Sequence, residues 1–236
     1  MGRGIIMKNK IMRFALSMRL FHWFYITFYF VLALTGMFVI YDLFDFLLPV
    51  FGGIQIARYI HRIAGVGLII TPLLALLVSP KELFRDLKQA YTWKLSELIF
   101  FKSFIVEFFG GTVTYEPQGR FNVGEKLNIL LQSSGWVLFI ISGLVMWFSH
   151  LFSPTLGFYA LVLHDIAYIV TLAYVIGHTY LATLHPCSKA ALGGMITGYV
   201  DEEFAKHHYP LWCEQLKKDQ NQDENQGENK DIDIAG

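Results

Sequence analysis

Four histidines interrupt stretches of sequence that are otherwise almost wholly apolar: His22, His61, His164 and His178. Ionisable side chains at membrane depth are costly and are kept for a function. Neutral imidazole is a common metal ligand. His164 and His178 lie 14 residues apart, close to four helical turns, so their rings leave one helix face at depths differing by roughly 21 Å. Successive helices run in opposite directions. His22 therefore shares a depth with His178, and His61 with His164. A zinc or copper centre wants three or four ligands converging on one point, whereas two imidazoles at each of two depths suit a planar macrocycle with two axial ligands. Bis-histidine haem is coordinatively saturated and serves electron transfer rather than oxygen binding. Taken singly, each histidine also reads as a helix-end residue bonding a carbonyl or a headgroup.

Arg19 and Arg58 each precede a histidine by three residues. Each shares its helix face, one turn nearer water, where a guanidinium can pair with a haem propionate. A snorkelling or charge-anchoring role explains Arg19 equally well, and Arg58 less well. Gly65 and Gly177, beside His61 and His178, leave room for a macrocycle. Gly36, Gly135 and Gly143 read as helix-packing residues. Asp165 either faces the headgroups or contacts the neighbouring imidazole. His150, His185, His207 and His208 fall at helix ends or beyond and read as solvated.

The elements that must hold these residues follow from composition. Of 236 residues, 54% are hydrophobic and only 16% charged, against about a quarter charged in soluble domains. Mean hydropathy is +0.44. Four stretches reach the roughly 20 apolar residues that a bilayer needs: 21–41, 56–78, 127–148 and 158–184. Residues 98–109 are shorter, carry Lys102 and Glu107, and read as an interfacial segment. Pro80 closes the second span and Pro154 precedes the fourth. The basic N-terminus runs into the first apolar stretch without a small-residue cleavage site, so that stretch reads as a retained span. Zero formal net charge gives no sign of a nucleic-acid partner. Cys187 and Cys213 show no spacing for zinc, a disulfide framework or covalent haem.

Basic residues set the orientation. The N-terminal arm carries five and the loop 81–126 seven, whereas 42–55 and 149–157 have none. Both termini are expected in the cytoplasm. The predicted fold is an all-α integral membrane protein, a four-transmembrane-helix bundle with two haem b sites. Its parts are a cytoplasmic arm (1–18), the di-haem membrane domain (19–184, with a cytoplasmic loop at 80–126), a cytoplasmic C-terminal segment (185–216) and a polar tail (217–236) expected to be disordered.

Several segments resemble one family. RLFHWFYITFYFVLALTGM, RYIHRIAGVG, GRFNVGEKLNILL with SGLVMWF, and the pair LVLHD and GHTYLA are similar to b-type cytochromes that serve hydrogenases and formate dehydrogenases. GGMITGYVDEEFAKHHYPLWCEQL resembles more narrowly the gamma subunit of respiratory formate dehydrogenase. The resemblance runs from about Arg19 to Glu214. It implies a multi-pass protein of the bacterial inner membrane, with His22 and His178 ligating a cytoplasmic haem iron and His61 and His164 an outer one. It also implies a quinone (menaquinone or ubiquinone) bound near the cytoplasmic haem by Asn122, Gly124, Glu125 and His178. Asn122 would meet a quinone carbonyl and Glu125 would relay protons. Asn122 and Glu125 equally read as a capping box for the third span, and the roles can coexist. Glu125, Phe204 and Cys213 depart from the family's usual residues. The implied partners are an iron–sulfur subunit and a molybdenum or tungsten catalytic subunit on the outer side, where substrate oxidation would occur. The same module serving a NiFe hydrogenase or thiosulfate reductase is the nearest rival. A proton-coupled four-helix transporter, which usually shows repeated halves, and a haem-free anchor are rivals of another class.

Overall fold

The computed structural model describes residues 6–7, 9–40, 42–95, 97–108 and 116–234. Four apolar helices dominate it: α1 (Leu16–Ile40), α2 (Ile54–Val78), α5 (Val123–Trp147) and α6 (Pro154–Thr183). The three shorter ones have 25 residues each, about 37 Å of helix, enough to cross the hydrocarbon core. Their outer faces stay apolar and bare, with Ile63 at 71% and Leu77 at 77% exposure. In a soluble protein such a belt would aggregate; here it meets lipid. α1 packs chiefly on α2, and α5 on α6. The two pairs are joined by Tyr29 Oη on Thr171 Oγ1 at 2.9 Å and Tyr168 Oη on the Ala33 carbonyl at 3.3 Å.

α2 contains Pro72, which has no N–H to offer the Leu68 carbonyl four residues back. The Trp136 indole of α5 donates to that carbonyl at 3.0 Å. An orphan acceptor in lipid is thereby satisfied, and α5 is tied to α2.

Most shorter elements gather at one end, apart from the 3-10 helices Asp42–Phe51 and Ser149–Leu151 in the connections at the other. α3 (Pro80–Tyr91) and α4 (Glu97–Phe108) form the connection between α2 and α5. α4 covers most of the expected interfacial segment, whose last residue, Phe109, lies outside the described residues. After α6 come α7 (Leu192–Ile196), α8 (Glu202–His208) and α9 (Pro210–Ile234). α9 continues as helix to Ile234, within the polar tail that composition marked for disorder. Its Gln, Glu and Lys are good intrinsic helix formers.

Three short strands, β1 (Ile6–Met7), β2 (Lys10–Met12) and β3 (Tyr199–Asp201), make an antiparallel sheet in that order. Ile11 opposes Val200, so the N-terminal arm is stitched to the C-terminal segment. Gly198 precedes β3 with φ +95°, and its carbonyl accepts from Arg13 N at 2.8 Å. A Cβ there would sit 3.0 Å from the Phe14 carbonyl, so both backbone and space call for glycine. Ile11, Val200, Ala205, Tyr209, Trp212 and Cys213 form a small core beneath the sheet.

Candidate functional site

A cavity of about 290 Å³ opens between α1–α2 and α5–α6, lined by His61 and His164 among mostly apolar residues. That is a ligand-sized space. The two rings face each other with centroids 6.4 Å apart. With a metal–nitrogen bond of about 2.0–2.1 Å and a ring radius of roughly 1.2 Å, imidazoles on opposite sides of one metal have centroids about 6.4–6.6 Å apart. The spacing suits a single metal held between them.

Both rings are held from behind. His61 Nδ1 lies 2.8 Å from Thr35 Oγ1, and His164 Nδ1 lies 2.9 Å from Ser142 Oγ. Each Nε2 is thereby left for the cavity. Glycines give the rings their room: a Cβ at Gly36 would sit 3.5 Å from His61 Cε1, and one at Gly143 3.7 Å from His164 Cε1. Both line the cavity together with Gly65. Gly36 and Gly143 therefore belong to the site as well as to helix packing. Gly135, whose Cβ would meet Thr171 Cγ2 at 2.7 Å, is a packing residue only. Phe139 lies edge-on to His164, centroids 5.0 Å apart.

Arg58 lines this cavity, as does Arg62, whose guanidinium lies 5.4 Å from the Trp147 ring centroid. Arg62 follows His61 directly, yet the sequence singled out only Arg58 as a propionate partner on this helix. Asp165 also lines the cavity, and its Oδ1 is buried without a hydrogen-bond partner. That orphaned atom marks a place where a bound group belongs.

At the other end of the bundle His22 and His178 lie close enough to interact electrostatically. His22 Nδ1 is buried without a hydrogen-bond partner, and a Cβ at Gly177 would meet nothing within 4 Å. Arg19, three residues before His22, spends its guanidinium on the Met195 and Ile196 carbonyls of α7. Of the two arginines singled out in the sequence, Arg58 lines the His61–His164 cavity and Arg19 does not.

Asn122, Gly124 and Glu125 form the N-terminal turn of α5. The capping box is complete: Asn122 Oδ1 accepts from Glu125 N at 2.8 Å, and Glu125 Oε2 from Asn122 N at 3.0 Å. Tyr174 of α6 donates to the Gly124 carbonyl at 2.5 Å. Glu125 is also bound by Arg13 Nη2, at 3.0 and 2.9 Å to its two oxygens, and by Tyr209 Oη at 2.9 Å. Arg13, only 3% exposed, is the principal residue that sequence reading missed. Burial works against its charge, but Glu125 and Tyr209 outweigh burial and raise its pKa. Burial, reinforced by Glu125, raises the pKa of the Tyr209 phenol. Burial lowers Arg120 to about 10 against the pull of Asp86, whose Oδ1 is 3.3 Å away. Arg120 Nη2 donates to the Arg13 carbonyl at 2.7 Å, extending the network.

The family model of the prokaryotic cytochrome b561 matches residues 13–198, nearly four fifths of the chain. The chain belongs to the prokaryotic cytochrome b561 family. It is a multi-pass cytochrome b of the bacterial inner membrane, an electron carrier built around haem b. Among curated relatives, the formate dehydrogenase cytochrome b556 subunit of Haemophilus influenzae is 27% identical over 86% of this chain and 82% of its own length. The nitrate-inducible cytochrome b556(Fdn) subunit of Escherichia coli is 25% identical over 84% and 87%. The cytochrome b556(fdo) subunit of the same organism is 24% identical over 89% and 95%. The family match spans all four apolar helices, which agrees with the bundle and its cavity being one shared module.

Proposed function

We propose that this chain is the di-haem, quinone-reducing membrane subunit of a formate dehydrogenase-type complex. The observation that carries the reading is the facing pair His61–His164, spaced 6.4 Å between ring centroids over a ligand-sized cavity. Haem b, when bound, supplies a one-electron carrier at each of two depths. His61 and His164 would hold it on the outer side, His22 and His178 on the cytoplasmic side. Arg58 and Arg62 stand at the outer cavity, placed to pair with propionate carboxylates. Between the two levels lies a layer of Tyr29, Ala33, Leu68 and Val175, packed by Tyr25 and Phe28, which excludes water from the electron path.

On the cytoplasmic side the turn Asn122–Gly124–Glu125 and His178 receive the quinone. Quinone reduction takes up protons, and this turn stands where the bundle meets the polar end of the molecule. Tyr174 anchors it to α6. The capping role of Asn122 and Glu125 does not compete: it fixes the turn that a quinone carbonyl would approach. The relatives' names support formate dehydrogenase, with an iron–sulfur subunit and a molybdenum or tungsten catalytic subunit as partners on the outer side. The segment VDEEFAKHHYPLW, which packs β2 against α8 and α9, points the same way. Electrons then enter at the outer pair and leave at the cytoplasmic one.

A reduced-minus-oxidised optical spectrum of the purified chain is expected to give two b-type haems. In His178→Ala one haem and quinone reduction should be lost while the outer haem remains reducible. A parent chain without haem, or a variant that keeps both, overturns the reading.

A further inference from the structure

The two histidine pairs differ behind the rings. On the outer side the Thr35 hydroxyl donates its only proton to the Val31 carbonyl at 2.7 Å, and the Ser142 hydroxyl donates its own to the Leu138 carbonyl at 2.5 Å. Each oxygen therefore faces its imidazole only as an acceptor. Nδ1 must carry the hydrogen in both His61 and His164, and Nε2 must carry the free lone pair. Thr35 is wholly buried and Ser142 is 1% exposed, so water cannot substitute for either hydroxyl. The two hydroxyls come from different helix pairs, α1 and α5, yet they serve the two faces of one site in the same way. On the cytoplasmic side His22 Nδ1 has no partner.

We infer that Thr35 and Ser142 are positioning residues that fix the outer imidazoles as Nδ1–H tautomers and lower the reduction potential of the metal centre held between them. A ligated imidazole whose distal N–H is hydrogen-bonded is a more basic ligand and favours the oxidised metal. The inference rests on the di-haem reading above and concerns the outer site alone.

The first variant is Ser142→Ala, which removes the hydroxyl behind His164. In a redox titration of the full chain followed optically, the outer haem is expected to titrate higher. The expected change is about tenfold in its reduced-to-oxidised ratio at fixed potential, which is 59 mV for one electron. The cytoplasmic haem should stay at its parent value, and the low-spin ferric resonance of the outer haem alone should move. Parent midpoints for both haems, or an equal shift in both, overturn the inference. Should Ser142→Ala lose the outer haem, Thr35→Val, which keeps the volume and removes the hydroxyl, decides instead. A raised outer potential supports the inference and an unchanged one sinks it. A parent chain that binds no haem would refute the di-haem reading itself; a haem-loaded variant with unmoved potentials refutes only the role of the hydroxyls.

Discussion

Both oxygens of the Glu125 carboxylate are engaged, by Arg13, by Tyr209 and by the Asn122 amide. Arg13 has almost no access to water: its side chain is 1% exposed, against 25% for Glu125. Glu125→Gln keeps the shape and the capping geometry but leaves that guanidinium facing a neutral amide. Removing one partner of a buried ion pair costs about 3–5 kcal/mol, and the remaining amide oxygen holds the expected loss near about 3 kcal/mol. Thermal unfolding in detergent checks this; an unchanged midpoint would mean that Arg13 finds water in the folded state. If Glu125 also passes protons to quinone, the variant reduces quinone more slowly even at temperatures where it is fully folded. Asn122 and Glu125 were legible as a capping pair because the signal is local, three residues apart. Arg13 was legible only as one basic residue of a charged arm. Nothing in its neighbours announces a partner more than a hundred residues away.

Helices give the same lesson at larger size. Hydropathy over some 20 residues revealed the four spans, because lipid imposes one rule on every position of the outward face. It could not reveal the bond between Trp136 and Leu68, which depends on how α5 rotates against α2. Hydrogen bonds between membrane helices usually contribute little, about 0.6 kcal/mol on average and at most about 1.7. This one should lie at the upper end, because Pro72 removes the donor that would otherwise serve the Leu68 carbonyl. Trp136→Phe is thus expected to cost about 1–2 kcal/mol. In a Pro72→Ala background, where the helix supplies its own donor, the same substitution should cost much less. Stability measured around this double-mutant cycle settles the matter: equal costs in both backgrounds would leave the indole with packing alone. The β-sheet was illegible for a related reason. Strands of two and three residues carry too little periodicity to register, and β2 finds β3 nearly 190 residues further along the chain.

For the whole molecule that sheet has a consequence for topology. Because Ile11 pairs with Val200, the N-terminal arm and the C-terminal segment must lie at the same end of the bundle, whichever way it is inserted. Charge then predicts the side: the arm and the 81–126 loop are rich in Lys and Arg, and the two connections at the far end carry none, so we propose that the sheet faces the cytoplasm. The two cysteines make this measurable without disturbing the fold. Cys187 is exposed just beyond α6, whereas Cys213 is buried under the sheet, where burial raises its thiol pKa. A membrane-impermeant maleimide should leave both untouched in intact spheroplasts. In inverted vesicles it should modify Cys187 rapidly and Cys213 slowly, since only the accessible thiolate reacts. Thr155→Cys, at the exposed start of α6, should show the opposite sidedness and be labelled from outside. Labelling of Cys187 in intact spheroplasts would reverse the bundle. The His22–His178 pair would then face the periplasm, and electrons entering on that side would meet the quinone turn before the His61–His164 cavity.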